Sequence, residues 1–184
     1  MIPLRTERLI LRNWQERDRD LFHRINSDDQ VMAFFPMRRS RPESDEMMNR
    51  LADGIEKNGF GLGAVEIADT GEVAGFTGLH ITNGIPGTPD GTIEIGWRMA
   101  PEFWGKGYVT EAARRWRDFG FDDLGLDRII SFAVADNCRS TAVMRRIGMS
   151  ARPDLDFDHL SVPDTHPQLK RHVFFEMLPG DPRD

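Results

Sequence analysis

Three stretches of this sequence have residue types and spacings suited to chemistry. The first contains Glu94, a carboxylate in the strand-like segment TIEIGWRM (92–99). A glutamate beside an amine can take the proton that the amine loses on attacking an electrophile. A strand glutamate is also a common solvent-facing or ion-paired residue, and a single bulge would turn it to the other face. Glu94 is the candidate base, and an ordered water is the alternative.

The second stretch is PEFWGKGYVTEAARRW (101–116), a glycine-rich loop that leads into a helix. Gly105 and Gly107 allow the backbone to approach a bulky anion, and the N–H groups at the start of the helix attract negative charge. Lys106 could neutralise charge at the rim. The spacing matches neither a P-loop nor a dinucleotide fingerprint. By itself, the loop is equally consistent with a tight turn before a core helix.

The third stretch is NCRSTAVMRRIG (137–148), in which Asn137 can cap a helix and Ser140 offers a hydroxyl group. Cys138 lies near the same helix start, where a thiol pKa can fall. No histidine lies nearby in sequence, so direct transfer is preferred to an acyl-enzyme. Glu111 is a rival carboxylate, but a glutamate in the first turn of a helix has a dipole reason to be there.

Histidines provide little further signal. They stand at positions 23, 80, 159, 166 and 172, without the spacing of a metal site, and no metal is predicted. The polar segment 156–172 is either a substrate-side loop, with Asp158 or His159 at its mouth, or an ordinary connection. Segments 31–42, 83–91 and 154–170 are expected to wall the acceptor site.

Hydrophobic periodicity supplies the elements that must position these residues. Strands are predicted at 8–14, 59–68, 73–82, 92–99, 127–135 and 172–178, and helices at 15–28, 43–57, 110–125 and 138–148. Three consecutive strands favour antiparallel pairing, whereas the strand–helix–strand unit over 92–135 favours a parallel crossover. The fold class is therefore α/β, or α+β by some classifiers, with a mixed, mostly antiparallel central sheet and helices on both faces.

Composition bounds the partners. The 184 residues carry a net charge of −6, without the basic face of a nucleic-acid binder, and no segment is predicted to enter a membrane. The basic cluster MRRSR (37–41) is interpreted as a solvated loop. The single cysteine, Cys138, and the absence of a signal-peptide pattern suit a cytoplasmic protein. One domain covering residues 1–184 is expected.

Several motifs in order resemble the GNAT superfamily of N-acetyltransferases, and within it the RimJ/RimL-like branch that acetylates ribosomal-protein N-termini. IEIGWRMAPEFWGKGYVTEA (93–112) resembles the strand, acetyl-CoA loop and helix start of that branch. NCRSTAVMRRIGM (137–149) resembles its later helix, and TERLILRNWQERD (6–18) resembles its opening strand and helix. The resemblance covers essentially the whole chain and implies the GNAT-like fold.

The resemblance also implies residue roles toward acetyl-CoA. The backbone from Trp104 to Thr110 would hold the pyrophosphate, and the exposed edge of strand 95–100 would pair with the pantetheine arm. The expected cofactor contacts are Trp97, Met99, Trp104, Gly105, Lys106, Gly107, Tyr108, Val109, Thr110, Asn137 and Arg145.

Two positions depart from the superfamily pattern. Glu102 stands where glutamine or arginine is usual and should point away from the pyrophosphate. Met144 stands where many members have a tyrosine that protonates the leaving thiolate. Ser140, which matches the acid proposed in the Rim-type branch, would take that role instead. Asn137 would contact the pantetheine. The catalytic set is therefore Glu94, Ser140 and Asn137.

The implied reaction moves an acetyl group from acetyl-CoA to a primary amine by direct attack in a ternary complex. A protein α-amine, with a pKa of about 7.7–8.0, needs a weaker base than a lysine near 10.4. A protein N-terminus is therefore preferred to a small amine such as an aminoglycoside or polyamine. A catalytically silent acyl-CoA-binding module is the remaining alternative. The chain is expected to act as a monomer or homodimer.

Overall fold

Residues 3–183 are described by a computed structural model, in which the predicted strands and helices recur in their predicted order. The strands are β1 (Leu4–Arg5), β2 (Leu9–Arg12), β3 (Leu62–Ile67), β4 (Val73–Thr82), β5 (Thr92–Met99), β6 (Ile129–Val134), β7 (Ser150–Ala151), β8 (Phe157–Asp158) and β9 (Arg171–Met177). The helices are α1 (Arg19–Ser27), α2 (Arg41–Asn58), α3 (Tyr108–Asp118) and α4 (Cys138–Arg146).

One mixed sheet runs through the described residues, in the order β1-β2-β3-β4-β5-β6-β9-β7, with β8 beside β9. Its neighbouring strands are antiparallel except β5 and β6, which are parallel and joined through α3. This arrangement confirms the predicted mixed, mostly antiparallel sheet. The short strands β1, β7 and β8 were not predicted, because two residues carry no readable alternation.

Helices cover both faces, since alternate strand residues point to opposite sides. On one face, α3 and α4 pack through Trp116 and Met144 against Ile95 and its neighbours. On the other face, α1 and α2 pack through Phe22 and Ile55 against a smaller group of strand residues. The first of these cores includes Ile93, Ile95 and Met99 of β5, the strand that also carries Glu94.

Some helix ends follow the predicted signals and others differ; the helix predicted from residue 15 begins at Arg19, after a 3-10 turn over Glu16–Asp18. Ser40 and Glu43 form a capping box at the start of α2, and Gly59 ends that helix with a left-handed φ of 77°. The helix predicted over 110–125 starts two residues earlier, at Tyr108, and continues after Asp118 as a π-helical turn, Phe119–Asp123.

Candidate functional site

The strands β5 and β6 separate, and the separation opens a cleft of about 1560 Å³. They pair at a single position, Glu94 with Ile130, and the Ser131 hydroxyl donates to the carbonyl of Ile95 at 2.9 Å. Beyond this point the strand alternation directs the main-chain groups of Trp97 and the N–H of Met99 toward the gap. This exposed edge is the one expected to pair with an extended ligand.

The glycine loop borders one end of this cleft, here called the loop end. Gly105 and Gly107 have φ angles of 74° and 80°, a region that favours glycine. The Trp104 indole N–H donates to the Met99 carbonyl at 2.9 Å, which fixes the loop to the end of β5. Trp97, Met99, Trp104, Gly105, Gly107, Tyr108, Val109 and Thr110, all predicted cofactor contacts, line the cleft.

Arg8, in the β1–β2 turn, contacts both Glu111 of α3 and the glycine loop. The Glu111 carboxylate accepts from the Thr6 hydroxyl at 2.5 Å and from the Arg8 backbone N–H at 2.9 Å, and Arg8 forms an ion pair with it at 2.6 Å. Arg8 also donates to the Lys106 carbonyl at 3.1 Å. Glu111 is therefore fully engaged in structure, as its position in the first helical turn indicated.

Two predicted cofactor residues point elsewhere. The Lys106 ammonium lies 5.2 Å from the centre of the Phe103 ring, and its side chain does not line the cleft. Arg145 is exposed, lies over Phe175 with its guanidinium carbon 5.3 Å from the ring centre, and does not line the cleft, so its contact with the cofactor stays a prediction. One helical position further, Arg146 does line the cleft. A step of one residue turns a helix by about 100°, which sequence spacing alone does not resolve at a helix end.

Glu102 points away from the cleft, as expected, because α1 provides its partner. Its carboxylate accepts from Arg24 at 2.5 Å, and that hydrogen bond and charge, against partial burial, leave the pKa of Glu102 below its usual value. Glu102 is therefore committed to α1 and contributes no side chain to the cleft.

Glu94 lies where the two strands part, with 12% of its side chain exposed. Burial raises the pKa of Glu94 to about 8, and burial lowers the pKa of His80, whose Nε2 is 3.3 Å from the carboxylate. Both shifts favour the uncharged forms. At neutral pH the pair is therefore mainly a carboxylic acid beside a neutral imidazole, and Glu94 becomes a base as the pH approaches 8.

The start of α4 faces the cleft from the opposite side. The Asn137 side chain caps the helix by accepting from the Ser140 backbone N–H at 3.2 Å, and both residues line the cleft. Met144 is fully buried in the core, so it offers nothing to a ligand. Cys138 is exposed and also lines the cleft.

The other end of the cleft, here called the apolar end, is walled by residues 31–37 together with Phe76 and Arg98. His159 and His172, whose ring centres lie 5.0 Å apart, line the side next to β6. Residues of segments 31–42 and 154–170 line the cleft, and none of segment 83–91 does. Ile85 packs in a separate cluster with Phe157 instead. The assignment of these segments to the acceptor site stays a prediction.

Sequence reasoning missed several cleft arginines. Arg98 reaches the apolar end, while Arg114, Arg139 and Arg146 line the loop end. Arg139 stacks over Trp104 at 4.2 Å from the ring centre. A signal existed for Arg98, which stands four residues after Glu94 and therefore on the same face of the strand. The other three sit on amphipathic helices, where exposed arginines are ordinary.

Residues 3–183 bring together no cluster of three or more His, Cys, Asp or Glu that could hold a metal ion. Within the same residues, no helix combines the length and apolar character that crossing a bilayer requires.

A mixed sheet with parting central strands, a main-chain anion loop and a buried carboxylate at the junction defines a class of acyl-CoA-dependent transferases. The family model "Acetyltransferase (GNAT) domain" matches residues 8–150, and the chain belongs to this family of N-acetyltransferases. Members use acetyl-CoA as cosubstrate and acetylate an amine. The protein is similar to two Bacillus subtilis proteins named uncharacterized N-acetyltransferases. YoaA is 30% identical, covering 80% of this chain and 83% of its own, and YnaD is 29% identical, covering 78% and 80%.

Solved structures share the fold. A GNAT-family acetyltransferase from Bacillus anthracis matches with a TM-score of 0.79 and 23% identity over 97% of this chain and 99% of its own. The ribosomal-protein-S5-alanine acetyltransferase of Vibrio fischeri matches with a TM-score of 0.75 and 16% sequence identity over 98% of each chain. A chimera of the Vibrio cholerae spermidine N-acetyltransferase SpeG matches with a TM-score of 0.70 and 20% sequence identity, over 94% of this chain and 96% of its own.

Proposed function

We propose that this N-acetyltransferase acetylates protein N-terminal α-amines, as the RimJ/RimL-like branch does, by direct attack of the amine on acetyl-CoA in a ternary complex. The observation that carries the proposal is the buried Glu94 carboxylate at the junction of β5 and β6. Its pKa of about 8 is matched to an α-amine, whose own pKa is about 7.7–8.0, so proton transfer between them is nearly balanced. A lysine amine near 10.4 would hold its proton against such a base.

The other residues are assigned by position. Main-chain N–H groups of residues 104–110 hold the pyrophosphate, and the free edge of β5 at Trp97 and Met99 pairs with the pantetheine arm. Asn137 orients the same arm. Ser140 donates a proton to the departing thiolate, which assists departure without being indispensable, since a thiol pKa near 8.5 makes the thiolate a fair leaving group.

Small polycationic amines fit the cleft less well. The carboxylates lining it are Glu7, Glu94, Glu111 and Asp118, and all except Glu94 belong to the loop end, on α3 or the adjoining β1–β2 turn. The apolar end offers arginines instead, which repel a second amine. The spermidine enzyme among the structural neighbours shares only the fold at 20% identity.

A silent acyl-CoA-binding module is the second candidate, and Glu94 argues against it. Burying a carboxylate costs free energy and yields no stabilising ion pair here, since its neighbour His80 is itself driven neutral. Such costs concentrate at functional sites.

The test combines binding with turnover. A thermal shift with acetyl-CoA is expected for wild type, because a ligand at 100 times its dissociation constant stabilises by about 2.7 kcal/mol. Thiol release is then measured over α-amine peptides, internal-lysine peptides, spermidine and an aminoglycoside. Glu94→Gln should lower kcat by about 10²-fold, and Ser140→Ala by less, with the thermal shift retained. Glu56→Gln, exposed on α2, is the matched control.

Acetyl-CoA binding without turnover on any amine would favour the silent module. Turnover on spermidine exceeding that on α-amines would overturn the choice of acceptor. If Glu94→Gln and Ser140→Ala both keep wild-type activity, the catalytic roles assigned to Glu94 and Ser140 are wrong. A single domain, a cytoplasmic location and a monomeric or homodimeric state stay predictions.

A further inference from the structure

Arg98 is a half-buried cation in the apolar end of the cleft, and no carboxylate within residues 3–183 pairs with it. One guanidinium nitrogen donates to the Asn26 side-chain oxygen, while its Nε is buried without a hydrogen-bond partner. The Phe35 ring lies 4.2 Å from the guanidinium carbon and the Phe76 ring 5.3 Å. Burial, together with the charge of Arg39, lowers the pKa of Arg98 to about 10.

Arg12 shows how this chain otherwise treats a buried guanidinium. Arg12 donates to both oxygens of Asp18, at 2.7 and 3.0 Å, and to Glu66 at 2.6 Å. A buried cation normally requires such partners, because desolvation is costly unless a nearby charge compensates it. Arg98 receives only an amide oxygen and aromatic faces, and Arg39, which lines the same end, adds a like charge.

The floor between Glu94 and Arg98 is open. Glu94, Gly96 and Arg98 alternate along β5 on one face, opposite His80, Gly78 and Phe76 of β4. Four residues of strand separate the Cα atoms of Glu94 and Arg98 by about 13 Å. A Cβ at Gly96 would project into this space, where its nearest atoms, from Leu62 and His80, are 3.6 and 3.9 Å away.

We propose that the amine acceptor carries a carboxylate, which Arg98 binds, with Arg39 beside it, while the amine lies at Glu94. This inference deepens the proposed function and rests on it. The carboxylate supplies the missing partner of the guanidinium, and a planar fork of N–H donors suits it geometrically. Gly96 leaves room for the atoms that join the two groups. Phe35 and Phe76 exclude water from the contact and strengthen it.

Two sources provide this chemistry. A protein N-terminus provides it when one of its first residues is aspartate or glutamate. A free amino acid or short peptide provides it through its own carboxylates. Both present an amine and a carboxylate a few bonds apart, so Arg98 and Glu94 read them in the same way, and the reach of the remaining chain distinguishes them.

The experiment compares acceptors that differ only in one charge. The first arm uses pairs of peptides with amidated C-termini. The two peptides of a pair differ only at the first or second position, where one has aspartate and the other asparagine, or one has glutamate and the other glutamine. A second arm uses free aspartate, glutamate, asparagine and glutamine. Thiol release gives kcat/KM for each. For wild type, acidic acceptors should exceed their amide twins by at least about tenfold, mostly through KM. The arm with the higher kcat/KM identifies the source.

Variants at Arg98 test the cause. Arg98→Met should bring the acid-to-amide ratio close to one, and Arg98→Lys should retain part of it. Because the ratio is taken within one preparation, it does not depend on the fraction of folded enzyme. The acetyl-CoA thermal shift should persist in both variants. Arg50→Met, on the exposed face of α2, is the matched control and should keep the wild-type ratio.

Each other outcome contradicts the proposal at a defined point. Turnover of α-amines with equal or lower rates on acidic acceptors would overturn the carboxylate site and leave the proposed function standing. An unchanged acid-to-amide ratio of kcat/KM in Arg98→Met would also overturn the carboxylate site alone. So would an equal loss of kcat/KM on the acidic and the amide acceptor together with a lowered Tm, because that result indicates a structural arginine. Absence of both a thermal shift and turnover would overturn the proposed function and this inference together.

Discussion

A carboxylic acid that is held neutral at pH 7 behaves differently from an ordinary glutamate. Glu94 is surrounded by protein at the junction of β5 and β6, and His80, whose Nε2 lies 3.3 Å from the carboxylate, is also driven toward its uncharged form. The environment therefore stores the proton on Glu94 until an amine or a higher pH removes it. The base is present in its active form only over the upper part of the physiological range.

This protonation equilibrium makes activity and stability move in opposite directions with pH. The folded-state pKa of Glu94, about 8, lies above its ordinary value of 4.5, so its stabilising contribution is full below pH 4.5 and is lost as pH rises through 8. Between pH 6.5 and 8, wild type should lose stability relative to Glu94→Gln, because Glu94 is ionised in the unfolded chain while the folded protein still holds its proton; His80 titrates in both proteins, so the comparison isolates Glu94. Over the same range kcat/KM of wild type should rise.

Urea unfolding of both proteins at several pH values measures the first effect, and thiol release measures the second. Parallel pH profiles of stability in wild type and Glu94→Gln would contradict the raised pKa.

For single residues, the sequence predicts the role of a side chain better than the side chains it contacts. Asn137 was predicted to cap a helix, which the structure confirms, because a cap depends on neighbours three residues away. Glu94 could be selected by type and spacing, but its pKa depends on β4 and β6 folding around it. Arg98 could not be read as an unpaired cation, because pairing is decided by side chains as distant in sequence as Asn26.

The loop before α3 is rigid at both ends and lacks side-chain caps. Gly107 is the N-cap residue of α3, with φ 80°, and no side chain there satisfies the first helical N–H groups. Those N–H groups are consequently available to a phosphate oxygen. Arg8 holds the loop by donating to the Lys106 carbonyl, and the Trp104 indole holds it by donating to the Met99 carbonyl, so neither contact uses the N–H groups at the start of α3.

Replacing Gly107 by alanine should damage this arrangement. A left-handed φ costs a residue with a Cβ about 1–2 kcal/mol, and the new methyl group would also lie 3.4 Å from Arg8 Nη2. The free energy of unfolding should fall by about that amount, and the KM for acetyl-CoA should rise. Gly54→Ala is the control. Gly54 lies inside α2, and the space within 4 Å of where its Cβ would stand is open, so alanine there should stabilise by about 0.5–1 kcal/mol.

Urea unfolding and acetyl-CoA titration test both variants. Stabilisation by Gly107→Ala with unchanged KM would show that the conformation at Gly107 is not required.

Elements were predictable where the hydrophobic pattern is long, and less so where it is short. The β3–β4 hairpin, β5 and α2 follow directly from alternation or a capped amphipathic stripe. The π-helical turn at 119–123 and the two-residue strands are decided by packing, which local patterns do not encode.

Across the whole molecule, net charge and local charge have opposite signs. The chain carries −6 overall, yet Arg39 and Arg98 face one end of the cleft and Arg114, Arg139 and Arg146 face the other. The predicted exclusion of nucleic acid came from the total charge. The total charge could not reveal this internal distribution, which suits a small anionic cosubstrate such as acetyl-CoA.

Acetyl-CoA binding should therefore depend on salt. Raising ionic strength from about 0.05 to about 0.5 M shortens the Debye length severalfold and should raise the KM for acetyl-CoA. Arg139→Gln should weaken binding at low salt and flatten this dependence, because a screened contact has been removed. Steady-state kinetics at constant pH measures both effects, and Arg50→Gln serves as the control. A KM independent of salt in wild type would contradict the role of these arginines.

Helix α1 contacts both halves of the site within a single turn. Arg24 pairs with Glu102 at the base of the glycine loop, and two residues later Asn26 accepts from Arg98 in the apolar end. Both contacts depend on the position of this helix, so a shift of α1 would alter them together, and we expect binding of the two substrates to be thermodynamically linked. Linkage is reciprocal: whatever factor donor binding applies to acceptor affinity, acceptor binding applies to donor affinity.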